Sequence, residues 1–118
     1  MNNFTFSNVW ILENHVLKAI QFDDLGKELS LEWIINRINS NSKCLLKALK
    51  FPFEIVALFF IAPPPNAANI YKVKLGNVER TLFGNFMLVS CSEDKYSVLN
   101  DFQNDMIFSQ LNIESLGQ

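Results

Sequence analysis

Ile70-Tyr71-Lys72-Val73-Lys74-Leu75-Gly76-Asn77-Val78-Glu79-Arg80-Thr81-Leu82-Phe83-Gly84-Asn85-Phe86-Met87-Leu88-Val89-Ser90-Cys91 is the stretch on which the fold turns. Tyr71, Val73 and Leu75 alternate with Lys72 and Lys74, the two-residue period of a strand with one buried and one wet face. Gly76-Asn77 supplies the positive backbone dihedrals of a two-residue hairpin turn, so Val78–Phe83 pairs back. Gly84-Asn85 repeats the step, and Phe86–Cys91 forms the next strand. Upstream, Glu54–Ile61 is β-branched, aromatic and apolar on both faces, which reads as a central strand. The stiff, extended Pro63-Pro64-Pro65-Asn66 segment connects it to Ile70. Four consecutive strands joined locally predict an antiparallel meander.

Further out the periodicity changes. Val9, Leu12, Val16 and Ile20 recur at three- and four-residue spacing behind Ser7 or Asn8, which favours a helix within Phe4–Phe22. The alternative is a hairpin around Glu13-Asn14-His15. Asp23-Asp24-Leu25-Gly26 breaks either one. Ser30 caps a helix to about Asn39, with Leu31, Ile34, Ile35 and Ile38 on one face and Glu32 placed to suit the helix dipole. After Asn39-Ser40-Asn41-Ser42, a second short helix runs to Lys50, with Cys44, Leu45, Ala48 and Leu49 inward and Lys43, Lys47 and Lys50 outward. Phe51-Pro52 ends it. The last helix is expected from Ser92–Asp94 to about Leu111, with Leu99, Phe102 and Met106 as its inward stripe. Asp94, Asp101 and Asp105, at i, i+7 and i+11, share its outward face, and Phe108 projects beside them. The expected fold is one α+β domain over residues 1–118. In it a four-stranded antiparallel meander packs against N-terminal and C-terminal helices as a two-layer sandwich.

Composition agrees with one self-sufficient core. The chain has 118 residues, 49% hydrophobic and 19% charged, with eleven Phe, which argues against intrinsic disorder. Its longest apolar run, Ile55–Ala62, is far short of the roughly 20 residues of a membrane-crossing helix. Met1-Asn2-Asn3-Phe4 lacks the basic-then-apolar pattern of a secretory signal, so a cytoplasmic location is expected. There Cys44 and Cys91 are read as small buried hydrophobes. Net charge is -2 and the pI about 5.3, so no global basic field attracts nucleic acid. Charge is carried in blocks instead: mostly basic from Arg37 to Arg80, and mostly acidic from Glu93 to Glu114.

Little in the sequence points to catalysis, a metal or a cofactor. His15 is the only histidine, and Glu13 is too near in sequence to orient it from the same helix face. Neither cysteine has an activating motif, and no serine sits in a G-x-S-x-G elbow. Glu93-Asp94 suit a helix start, and Asp101 with Asp105 is tolerable on a solvated face. The lysines at 43, 47, 50, 72 and 74, with Phe51 and Tyr71 nearby, line wet faces of an acidic protein, so direct nucleic-acid binding is not expected. What remains is an acidic stripe beside an exposed aromatic, the composition of a protein interface.

In overall character, small, acidic and bare of catalytic motifs, the chain resembles bacterial toxin-immunity proteins of contact-dependent growth inhibition systems. That resemblance implies a protein that is not an enzyme and needs no cofactor. It would bind one cognate toxin domain, often a basic nuclease, and block its active site. The expected contact is Asp94, Asp101, Asp105 and Phe108, with Asp23, Asp24 and Glu28 as a second patch. Two other roles fit the same profile. One is a different interaction protein, such as a phage-encoded inhibitor or a secretion chaperone. The other is a small enzyme or ligand-binding domain assembled around His15 or Cys91.

Overall fold

The computed structural model describes residues 7–23, 27–38, 45–61 and 70–116. Along these the elements are β1 (Asn8–Glu13), β2 (Val16–Gln21), α1 (Leu31–Ile38), β3 (Leu45–Lys50), β4 (Ile55–Ile61), β5 (Ile70–Leu75), β6 (Val78–Phe83), β7 (Phe86–Ser92), β8 (Lys95–Ser97), α2 (Asp101–Gln110) and β9 (Asn112–Ser115). Asp24, Cys44, Lys43 and the triple-proline loop lie outside the described residues. The α+β class holds, with mostly antiparallel sheet and two helices. The arrangement is richer than a four-stranded meander, because the strands form two sheets. The larger has the order β2-β1-β7-β4-β3, with β8 also paired to β7, and the smaller has the order β6-β5-β9.

The inner strands of the larger sheet, β1, β4 and β7, are buried on both faces. Leu12, Ile55, Ala57, Phe59, Phe86 and Leu88 point to one side, where they meet Tyr71, Val73, Leu75 and Leu82 of the smaller sheet and Ile107 of α2. Val9, Ile11, Val56, Leu58, Met87 and Val89 point to the other, under Ile34 and Ile38 of α1 and Leu29. The two-layer expectation is thereby corrected: the larger sheet is a central layer with cover on each side. Burial on both faces is what an apolar strand requires, since each successive side chain needs its own core.

That requirement explains the other departures. Residues 8–21 form the β1–β2 hairpin, in place of a helix, with a register from Asn8↔Gln21 to Glu13↔Val16. Val9 and Ile11 are fully buried on one face and Leu12 is buried on the other, which a helix with a single apolar stripe cannot achieve. Asn14 and His15, at φ 51° and 67°, make the tight turn without glycine. Residues 45–50 pair with β4 over six positions, where a helix was expected. Each strand beside β4 satisfies one row of its buried backbone groups, and this outweighs the helical spacing of Leu45, Ala48 and Leu49.

Of the meander, the β5–β6 hairpin at Gly76-Asn77 forms, with the positive φ at Gly76 (62°) and not at Asn77. Gly84-Asn85 does something else, carrying the chain from one sheet to the other. β7 then pairs with β1 and β4, not with β6. Phe86–Ser90 is buried throughout, so this strand belongs in the middle of a sheet. Glu93-Asp94 begins no helix. Its φ values of 53° and 63° form the tight turn between β7 and β8. In α1, Ser30 caps as expected, its hydroxyl accepting from the Trp33 amide at 3.0 Å. Ile34 and Ile38 are buried there, while Leu31 stands 51% exposed.

Glu13, at the end of β1, ties the hairpin to α1. Its carboxylate takes both terminal nitrogens of Arg37, with Nη2 at 3.3 Å, and Lys18 Nζ lies 3.1 Å away. The hydrogen bond from Arg37 is the main force holding its pKa below the ordinary 4.5; burial opposes this and Lys18 assists. A depressed carboxyl pKa contributes stability above the unfolded-state value, lost as pH falls through the folded one. Glu13→Gln should therefore lower stability at pH 7, by up to about 1 kcal/mol for a partly exposed cluster. The difference from wild type should vanish on acidification well below pH 4.5. Urea midpoints of the two proteins across that range measure it.

Candidate functional site

α2 begins where a capping box forms. The Gln103 amide donates to Asn100 Oδ1 at 2.8 Å, and the Asn100 amide donates to Gln103 Oε1 at 3.0 Å. The helix is held to the body by amides more than by apolar side chains. Gln103, 2% exposed, donates through Nε2 to the carbonyls of Phe53 (2.9 Å) and Glu54 (3.3 Å) and to Ser90 Oγ (3.0 Å). Asn104, equally buried, donates to Asn8 Oδ1 at 2.7 Å and to the Asn100 carbonyl at 3.1 Å, and accepts from Trp10 Nε1 at 2.9 Å. Among the described residues no buried side-chain polar atom lacks a partner.

With amides inward, aromatics face out. The inward stripe is Gln103, Asn104 and Ile107, which corrects the expected Leu99, Phe102 and Met106. Leu99 is buried but precedes the helix, Met106 is half-buried, and Phe102 is 56% exposed. Phe108 is 69% exposed, as its placement off the core stripe implied. Each exposed ring leans edge-on against an aromatic of the body: Phe108 on Trp10 at 5.5 Å, Phe102 on Phe53 at 5.6 Å. Between these two shoulders lie the exposed Asp101, Asp105 and Ser109. α2 carries no Lys or Arg, so both of its own charges, Asp101 and Asp105, are acidic. Beside Phe108 is a cavity of about 150 Å³, lined by Asn8, Trp10, Ala19, Gln21, Asn104 and Phe108.

Asp101, Asp105 and Phe108 are thus brought together, and Asp94 is not with them. It sits in the β7–β8 turn, on a cleft of about 410 Å³ that also takes in Lys50, Glu54, Cys91 and Glu93. Its assignment to the α2 face is corrected, because the turn ends several residues before the helix begins. Of the second patch, Asp23 and Glu28 are exposed; Glu28 lies beside Lys27 and Trp33 on the α1 side of the larger sheet.

The two residues considered for chemistry occupy different places. His15 is exposed at the β1–β2 turn, its Nδ1 2.7 Å from the hydroxyl of Tyr71 on β5. Burial raises the pKa of that phenol, which keeps the proton on its oxygen. The pair links the tips of the two sheets. Cys91 is half-buried beside Tyr96, whose phenol pKa is raised by burial first and then by Cys91 and Asp94. Among the described residues no three His, Cys, Asp or Glu side chains converge as a metal site. Nor is any described helix long and apolar enough to cross a membrane.

Trp10, Gln103 and Asn104 escaped the sequence reading, and Phe102 is assigned there to the core. A signal for one of them was present. Asn100 followed by Gln103 is a capping-box pattern, which starts the helix at 101 and gives Gln103 a backbone partner. Trp10 and Asn104 carry no such signal.

The chain matches no protein-family model, no curated protein and no solved structure.

Proposed function

We propose that this protein works by binding another protein, with the outward face of α2 as the contact. In this reading it is an immunity protein, and the partner is a toxin domain with a basic surface, such as a nuclease presents to nucleic acid. The observation that carries the reading is the composition of that face: Phe102 and Phe108, 56% and 69% exposed, flank Asp101 and Asp105 on a helix that buries amides instead. Exposed aromatics in a charged rim supply anchoring area, while the charge steers a cationic partner and selects against anionic ones. The carboxylates then stand where phosphates would meet the toxin, so that binding and inhibition coincide.

The test uses the product of the neighbouring gene, which this reading expects to carry a toxin domain. A salt-sensitive complex that suppresses the toxin's activity is expected. Asp101→Lys combined with Asp105→Lys should weaken it at least tenfold, about 1.4 kcal/mol or more, with the loss concentrated in the association rate. Unchanged affinity in that double variant rejects the α2 face. Absence of any complex with the neighbouring gene product rejects the immunity role.

A further inference from the structure

We infer that the open edge of β2, together with the cavity beside Phe108, receives an extended segment of the partner as an added strand, one carrying an apolar residue and a Lys or Arg two positions apart. This rests on the α2 reading above and specifies how the partner reaches that face. Among the described residues β2 is an end strand of the larger sheet. Its two-residue turn makes Glu13↔Val16 a hydrogen-bonded pair, and by alternation Ile11↔Lys18 and Val9↔Ile20 as well. Leu17, Ala19 and Gln21 therefore direct their N–H and C=O groups away from β1, to the open side. Such a row of unpaired groups is a template for another strand.

Edges are ordinarily guarded by charge or proline. At the opposite end of the sheet, β3 has Lys47 and Lys50 exposed. β2 has no proline, Val16 is 53% exposed, and its one charge, Lys18, is drawn to Glu13 at 3.1 Å. The edge is also shaped on one side. Strand addition takes affinity from main-chain bonds and specificity from pockets for alternate side chains. Ala19 and Gln21 form one wall of the 150 Å³ cavity, and Trp10 and Phe108 close it. A residue of the added strand beside Ala19 places an apolar side chain there.

Charge decides the next position. Asp101 and Asp105, both exposed, stand on the side of α2 that carries Phe108, at i, i+4 and i+7. Two residues along a strand advance about 7 Å. Asp105 and Asp101 lie about 4.5 and 10 Å from Phe108 along the helix axis, within reach of a long cationic side chain at that step. A second copy of this chain is the poorer occupant, because pairing β2 with itself brings two acidic α2 faces together.

The probe is the acetylated octapeptide Val-Thr-Lys-Thr-Val-Thr-Lys-Thr, with Lys-Lys-Thr-Thr-Val-Val-Thr-Thr as the charge-matched control, each titrated into the full chain by NMR. The first should bind more tightly than the control and slow amide exchange at Leu17, Ala19 and Gln21 at least about fivefold. Ala19→Pro removes an outward N–H at an edge position where proline is tolerated, so the fold should persist while peptide affinity falls at least about tenfold. No binding at millimolar peptide overturns the inference. So does binding that leaves those three amides unprotected, or an affinity indifferent to Ala19→Pro. If peptide affinity falls with Asp101→Lys and Asp105→Lys but not with Ala19→Pro, the α2 contact stands and strand addition fails. If neither changes it, both fail.

Discussion

Phe86→Ala should cost about 3–5 kcal/mol of folding stability, the largest loss expected from any single truncation in this chain. Phe86 is fully buried where the two sheets meet. It stands opposite Leu12 on β1 and Phe59 on β4, and its ring contacts Tyr71 of the smaller sheet edge-on at 6.0 Å. Backbone pairing on both sides of β7 holds the surrounding strands in place, so the cavity cannot close by collapse. A folded chain of this length has a total stability of about 6–18 kcal/mol, so the variant gives up a large fraction of it. Phe102→Ala and Phe108→Ala, which remove the same side chain from exposed positions, should each cost about 1 kcal/mol or less. Urea unfolding of the three variants measures the contrast. Equal losses at 86 and 108 would mean that Phe108 belongs to the core and not to a binding face.

Gln103→Ala should cost about 2–4 kcal/mol, although it deletes only a surface-typical amide. The loss leaves the Asn100 amide without its acceptor and the Phe53 carbonyl and the buried Ser90 hydroxyl without their donor. It also frees a turn in which Phe53 and Glu54 hold φ values of 68° and 59°. A left-handed backbone at two residues with side chains costs roughly 1–2 kcal/mol each and persists only where its surroundings fix it. Gln103→Leu separates the causes. It restores most of the volume but none of the hydrogen bonds, so it should remain destabilised by more than about 1 kcal/mol. A leucine variant as stable as wild type would show that packing, not the amide network, holds α2.

Those amides also explain why the candidate face was half legible. Phe108, Asp101 and Asp105 follow from helical spacing alone, because three residues on one helix side remain so wherever the helix docks. Which side docks was not legible. Apolar periodicity assigns Phe102 and Met106 inward, yet the inward groups are set by acceptors and donors from Asn8, Trp10, Ser90 and the Phe53–Glu54 turn, residues 13 to 96 positions away. A hydrogen-bonded amide is as acceptable in a core as a leucine, and nothing in its own neighbourhood announces its partner.

The same division runs through the fold. Strands β4 to β7 and helix α1 were determined by the chain's own pattern, since alternation, caps and the Gly76-Asn77 turn act within a few residues. The choice between hairpin and helix for residues 8–21, the strand at 45–50, and the departure of β7 from β6 at Gly84-Asn85 were decided only in three dimensions. β4 and β7 are apolar on both faces and need a neighbour on each side. Residues distant in sequence supply those neighbours, and the free energy of burying two full strands exceeds the few tenths of a kcal/mol per residue by which local propensity preferred otherwise.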